Sequence, residues 1–172
     1  MAMNEYKLPS QPLCRKESVI QGDHFRITML TEALVRLEYS QDGVFEDRPT
    51  QSVLNRDFPT PAYRVVDEEE ELGIYTSRLE IHYDRKPFAA NGLTIKVNGE
   101  KGGWGATWHF GEEPEDLGGT ARTLDMCDGP MVINPRGYGD MQEPGEEPFV
   151  GKLPMEHGLI SRRSFSYFVD SR

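Results

Sequence analysis

Cysteine is scarce: Cys14 and Cys127 are the two in 172 residues, and they stand far apart. Neither falls in a metal or redox spacing, so a disulfide scaffold is not expected. Long hydrophobic runs are missing as well. No stretch approaches the roughly 18 apolar residues that a spanning helix requires. The opening residues, MAMNEYKLPSQPLCRK, contain no apolar segment of the secretory kind, which favours a cytoplasmic setting. Positive charge is in the minority, with 19 Lys and Arg against 29 Asp and Glu and a net charge of -10. A phosphate backbone repels such a surface, which argues against a general nucleic-acid binder. Part of the negative charge sits in the run from Asp67 to Glu71, which reads as a solvated turn.

What is present is a lean but sufficient apolar complement: 37% hydrophobic residues, enough for one core in a chain of ordinary domain size. Its arrangement has a period of two. Phe25, Ile27 and Met29 share one face, and Ala33, Val35, Leu37 and Tyr39 share another, with Arg36 and Glu38 pointing the opposite way. The link between these two runs, Leu30 to Glu32, is short enough for a hairpin. Leu79, Ile81 and Tyr83 alternate with Glu80, His82 and Asp84, and Leu93, Ile95 and Val97 alternate with Thr94 and Lys96. The Asn91–Gly92 and Asn98–Gly99 pairs mark turns, since both residue types tolerate positive φ. Shorter strands are expected at residues 52–54, 63–66, 74–76, 107–110 and 165–169, and brief helical turns near 43–48 or 113–117. No window of a dozen residues carries a helical period. The expected fold is therefore all-β, an antiparallel sandwich. One stretch departs from the pattern. Residues 128–157 carry Pro130, Pro135, Pro144, Pro148 and Pro154 and read as a long Pro/Gly-rich loop or insertion. The expected organisation is a lead-in over residues 1–17 and a sandwich over 18–171.

Catalytic signatures are few. No nucleophile elbow, no pair of zinc-binding histidines and no phosphate loop with a lysine occurs, so no catalytic residue, metal ligand or cofactor is assigned. The four histidines, His24, His82, His109 and His157, are scattered, with His24 and His82 on polar strand faces. Trp104 and Trp108 could stack on sugar rings, or pack in the core or against a neighbouring domain.

Several segments in order carry a more specific signal. Residues 26–40 (RITMLTEALVRLEYS), 43–51 (GVFEDRPTQ), 54–59 (LNRDFP) and 88–93 (FAANGL) are followed by 117–125 (LGGTARTLD). Last come 158–163 (GLISRR), Phe165, and Val169, Asp170 and Ser171. Together they resemble the amino-terminal domain of glycoside hydrolase family 31, in its bacterial α-glucosidase-like members, from about residue 18 to 171. The resemblance implies a galactose-mutarotase-like sandwich that precedes a (β/α)8 barrel. Two aspartates on that barrel would form the retaining pair, one attacking the anomeric carbon and one protonating the leaving oxygen. Neither barrel motif occurs in these residues, so the chain by itself is expected to be inactive. The stretch between Asp128 and Leu159 is longer than the family pattern, and Val169 stands where an aspartate is usual.

The resemblance further implies that a loop of this domain contacts the sugar beyond the cleavage point. Arg122, Asp125 and Asp128 are the candidates, through directional hydrogen bonds to hydroxyls, or else they brace the loop. The implied partners are an α-glucoside or related oligosaccharide and the barrel of the same polypeptide. An exposed docking face would be left apolar and able to form a homodimer. The alternative is a free-standing carbohydrate-binding module built on Trp104 and Trp108. A mutarotase-type epimerase ranks below both, because no histidine and carboxylate are placed side by side.

Overall fold

The computed structural model describes residues 9–98, 106–113, 131–134, 137–140, 149–150, 161 and 165–170. The chain forms two compact units, one of Met1–Glu113 with Phe168–Arg172 and one of Pro114–Tyr167. Among its described residues the first unit holds one 3-10 turn, Lys16–Ser18, and two antiparallel sheets. One sheet has the order β1-β2-β3, with β1 at Val19–Gln21, β2 at Phe25–Thr31 and β3 at Leu34–Tyr39. The other is a meander of β4 (Arg64–Asp67), β5 (Leu72–Tyr75), β6 (Leu79–Tyr83), β7 (Leu93–Val97) and β8 (Thr107–His109), paired in that order. The all-β antiparallel expectation holds, and the core shows why it is a sandwich.

Residues of both sheets meet in one cluster. Phe25, Ile27 and Met29 of β2 pack with Leu72, Ile74, Leu79, Ile81, Tyr83, Leu93 and Ile95 of the meander. Each comes from an alternate strand position, so one pleated face of each sheet is removed from water. Burial of such a side chain stabilises by about 1.5–3 kcal/mol, which makes the cluster the principal support of the fold. An aromatic chain closes one side of it. The Phe25 ring meets Tyr83 edge-on at 5.0 Å, Tyr83 meets Phe88 at 5.3 Å, and Phe88 meets Phe110 at 5.3 Å. The Tyr83 hydroxyl donates to Lys86 O at 2.5 Å, and burial raises its pKa to about 12.

Several local expectations need correcting. The β2–β3 register shifts between Met29 and Thr31, so the turn falls at Glu32 and Ala33, one residue later than the alternation suggested. Ala33 therefore leaves the inward face, and its N–H is taken by Thr31 Oγ1 at 3.2 Å. Residues 52–54 form no strand. Thr50 ties them into a turn instead, its backbone N–H bonding Val53 O and its hydroxyl accepting from Val53 N. Residues 165–169 join no ladder either. The segment 43–48 is not helical, because Gly43 takes φ of +72° and Asp42 Oδ1 caps Ser40 Oγ and Val44 N. Of residues 113–117, Glu113 alone is described, and it is not helical. The acidic run behaves as read: residues 68–71 close the β4–β5 hairpin, with Glu68 N bonding Glu71 O at 2.9 Å.

The second unit contains a small antiparallel sheet of order β9-β10-β11, from Met131–Asn134, Gly137–Asp140 and Phe149–Val150. The Pro/Gly-rich stretch thus carries short strands that alternation had not marked, because its turn-forming residues interrupt the pattern every few positions.

Candidate functional site

The outward face of the three-stranded sheet is where the polar chemistry of the first unit concentrates. Period-two reading assigns Arg26, Thr28, Arg36 and Glu38 to a polar face, and such a face is ordinarily wet. Here β2 is buried on both faces, with Arg26 and Thr28 both buried. The loop that follows β3 covers Arg26 through Phe45, Glu46 and Asp47.

Within this layer Arg26 forks onto Glu38, with Nε to Oε2 at 2.6 Å and Nη2 to Oε1 at 2.8 Å. Its Nη1 donates to Asp47 Oδ1 at 2.7 Å, and the guanidinium lies 4.9 Å from the Phe45 ring centre. Such bidentate, charge-assisted contacts fix geometry as well as charge. Partial burial alone would lower the Arg26 pKa, but Glu38 and Asp47 outweigh it and hold it above the ordinary value. Arg36 goes the other way. Its Nη2 sits 2.8 Å from Glu38 Oε1 and donates to Glu46 O at 2.9 Å. Desolvation lowers its pKa, Glu38 offsets part of this, and the neighbouring charges of Arg56 and Arg26 lower it further.

Arg56 is the deepest of the three, 1% exposed. Its Nη1 donates to Arg48 O at 3.1 Å and Pro12 O at 3.3 Å. Its Nη2 lies 3.6 Å from Asp170 Oδ2, and that same oxygen accepts from Thr50 Oγ1 at 2.9 Å. A residue 120 positions along the chain thereby closes the cluster. The arrangement holds charge and orients loops. Among the described residues no group of His, Cys, Asp and Glu is placed to hold a metal ion. No described helix is long and apolar enough to cross a membrane. Cys14 is a free, half-buried thiol.

The residues singled out from sequence fare differently. Arg122, Asp125, Asp128 and Trp104 lie outside the described residues, as do Cys127 and His157. Trp108 is half-buried and packs against the core cluster, edge-on to Phe110 at 5.9 Å, with its indole N–H donated to Glu112 O at 2.9 Å. His24 and His109 are exposed and bond the carbonyls of Ser40 and Ala90. The arginine layer itself went unassigned in the sequence. The signal available was four arginines within residues 26–56, two of them on neighbouring strands of one sheet, in a protein poor in positive charge.

No protein-family model matches the chain, and no curated protein matches it.

Proposed function

We propose that this chain is the non-catalytic amino-terminal sandwich of a retaining α-glycosidase of the α-glucosidase type, acting in the cytoplasm. In this reading it braces a (β/α)8 barrel that carries both catalytic carboxylates. Its loop bearing Arg122, Asp125 and Asp128 contributes hydrogen bonds to a bound α-glucoside or related oligosaccharide. The observation that carries the reading is the cluster around Arg56. Residues 26–40, 43–51, 54–59 and 169–171 bear the family resemblance separately in sequence. Arg26 and Arg36, Arg48 and Thr50, Arg56 itself and Asp170 belong to these segments and form one connected charged layer. Motifs that join in one structural unit support a common origin better than scattered likenesses do, although fold alone never fixes an activity.

The same reading takes Leu13, Phe168 and Val169, which are exposed, as part of a docking face through which the isolated domain pairs with a second copy. The packed indole of Trp108 gives the carbohydrate-module alternative no support at that position. The test is enzymatic. The polypeptide encoded by the complete reading frame is assayed on an aryl α-glucoside, beside residues 1–172 alone. Hydrolysis by the former and none by the latter is the expected result. A complete polypeptide without glycosidase activity overturns the proposal.

A further inference from the structure

The outward face of the five-stranded sheet carries a second cluster, which the proposed function does not use. His82 stands on β6, and its two ring nitrogens both face carboxylates. Nδ1 lies 2.6 Å from Glu71 Oε1, at the end of the acidic β4–β5 turn, and Nε2 lies 2.9 Å from Glu80 Oε1 on the same strand. An ionised carboxylate only accepts, and a neutral imidazole has one N–H to give. Both contacts are therefore made by the imidazolium alone. Deprotonation would set a ring lone pair against a carboxylate oxygen at one of the two.

The surroundings reinforce this dependence. From β5 the Tyr75 ring meets His82 edge-on at 5.8 Å and is itself covered by the Arg64 guanidinium of β4 at 4.4 Å. From β7, Thr94 is the register partner of His82, and Lys96 Nζ reaches Glu80 Oε2 at 3.3 Å. The turn that His82 holds is a run of five acids, Asp67 to Glu71. Its other restraint is Arg85, whose guanidinium pairs with Asp67 and donates to Glu71 O at 3.2 Å. Arg85 sits at φ of +61°, a left-handed conformation that costs a non-glycine residue energy and persists where surrounding contacts hold it. With the His82 charge gone, Arg85 remains as the direct cationic tie to this turn among the described residues, and the mutual repulsion of the acids acts to open it.

We infer that the β4–β5 turn is a pH-sensitive clasp, in which protonated His82 holds Glu71 against the sheet and releases it when the ring loses its proton. Closed, the clasp secures the edge strand β4 by its turn. Open, it frees a strongly acidic hairpin tip.

The experiment is nuclear magnetic resonance on residues 1–172. Imidazole nitrogen shifts of His82 are followed from about pH 5 to 9, together with the protection factor of the Glu68 amide, whose N–H closes the turn on Glu71 O. Both His82 nitrogens should carry protons on the acid side of a midpoint that lies above the unperturbed histidine value of about 6.5. Glu68 protection should fall severalfold across that transition. In Glu71→Gln the His82 midpoint should drop and Glu68 protection should lose most of its pH dependence. His82→Gln should flatten the protection profile while leaving the sheet resonances of β6 and β7 in place. A His82 midpoint at or below about 6.5, or Glu68 protection that ignores pH in the unmodified chain, overturns the inference.

Discussion

A guanidinium removed from water needs acceptors at close range. Arg56 has two backbone carbonyls through Nη1, while its buried Nη2 makes no hydrogen bond and has the Asp170 carboxylate at 3.6 Å as an ion pair. Asp170 is the sole carboxylate within ion-pair distance of it among the described residues. Removing that partner leaves a buried charge poorly compensated, which costs more than the pair is worth when intact. Asp170→Ala is expected to lower stability by about 1–3 kcal/mol, read as a fall in the urea midpoint without change of slope. A midpoint that stays in place would show that water serves Arg56 equally well. The sequence offered Asp170 as part of a terminal motif and Arg56 as part of another. That they share a site depends on chain return over more than a hundred residues, which no local pattern encodes.

Strands β6 and β7 were legible because their inward and outward faces differ in polarity at every step, whereas β5 was expected at 74–76 and runs over Leu72–Tyr75, with Gly73 buried between Leu72 and Ile74. Leu79, Ile81 and Tyr83 are buried, while Glu80 and His82 between them are half-buried. A one-residue slip would turn the whole set to water, so the register is strongly specified. Ile81 sits in the centre of this sheet and is fully buried, whereas Val65 on the edge strand β4 is 40% exposed. Ile81→Ala is expected to cost about 2–5 kcal/mol, through lost transfer energy and a residual cavity. Val65→Ala should change stability by about 0.5 kcal/mol or less. Urea unfolding of the two variants side by side checks the contrast, and equal effects would mean that the core does not lie where the buried side chains place it. The β2–β3 hairpin was harder to read. A bulge adds one residue at Leu30, and a bulge leaves no trace in an alternating pattern beyond a phase shift that a longer turn also produces.

Across the whole molecule the titratable pairs set how stability varies with pH. The His82 hydrogen bond, then Lys96, hold the Glu80 carboxyl below its ordinary value of 4.5 against a smaller desolvation effect. Its contribution is present above that value and is lost as the pH falls through the depressed folded pKa. Desolvation alone would lower the His82 pKa, but Glu71 and Glu80 prevail and hold it above 6.5. That contribution is complete below 6.5 and disappears as the pH rises through the raised folded pKa. The two together predict a shallow stability maximum on the acid side of neutrality, each flank below about 1 kcal/mol because both groups are partly solvated. Urea midpoints measured between about pH 4 and 9 test it. In His82→Gln the alkaline flank should be lost, and an unchanged flank would place its origin elsewhere.

By itself the sequence determined the fold class, the inward residues of β2, β6 and β7, and the solvated acidic turn. These follow from alternation, which the pleat converts directly into burial. The sequence also supplied the ordered likeness on which the proposed function rests. Tertiary structure decided what alternation cannot express, namely which polar face stays wet. Arg36 and Glu38 read as solvent-facing, yet loops from both sides of the hairpin and Asp170 from far along the chain join them in a charged layer. His82 read as an ordinary surface histidine and became the link between two carboxylates. At Arg56 the decisive quantity is the distance to a carboxylate more than a hundred positions away; at His82 it is the pairing of β5 with β6, which brings Glu71 alongside the ring.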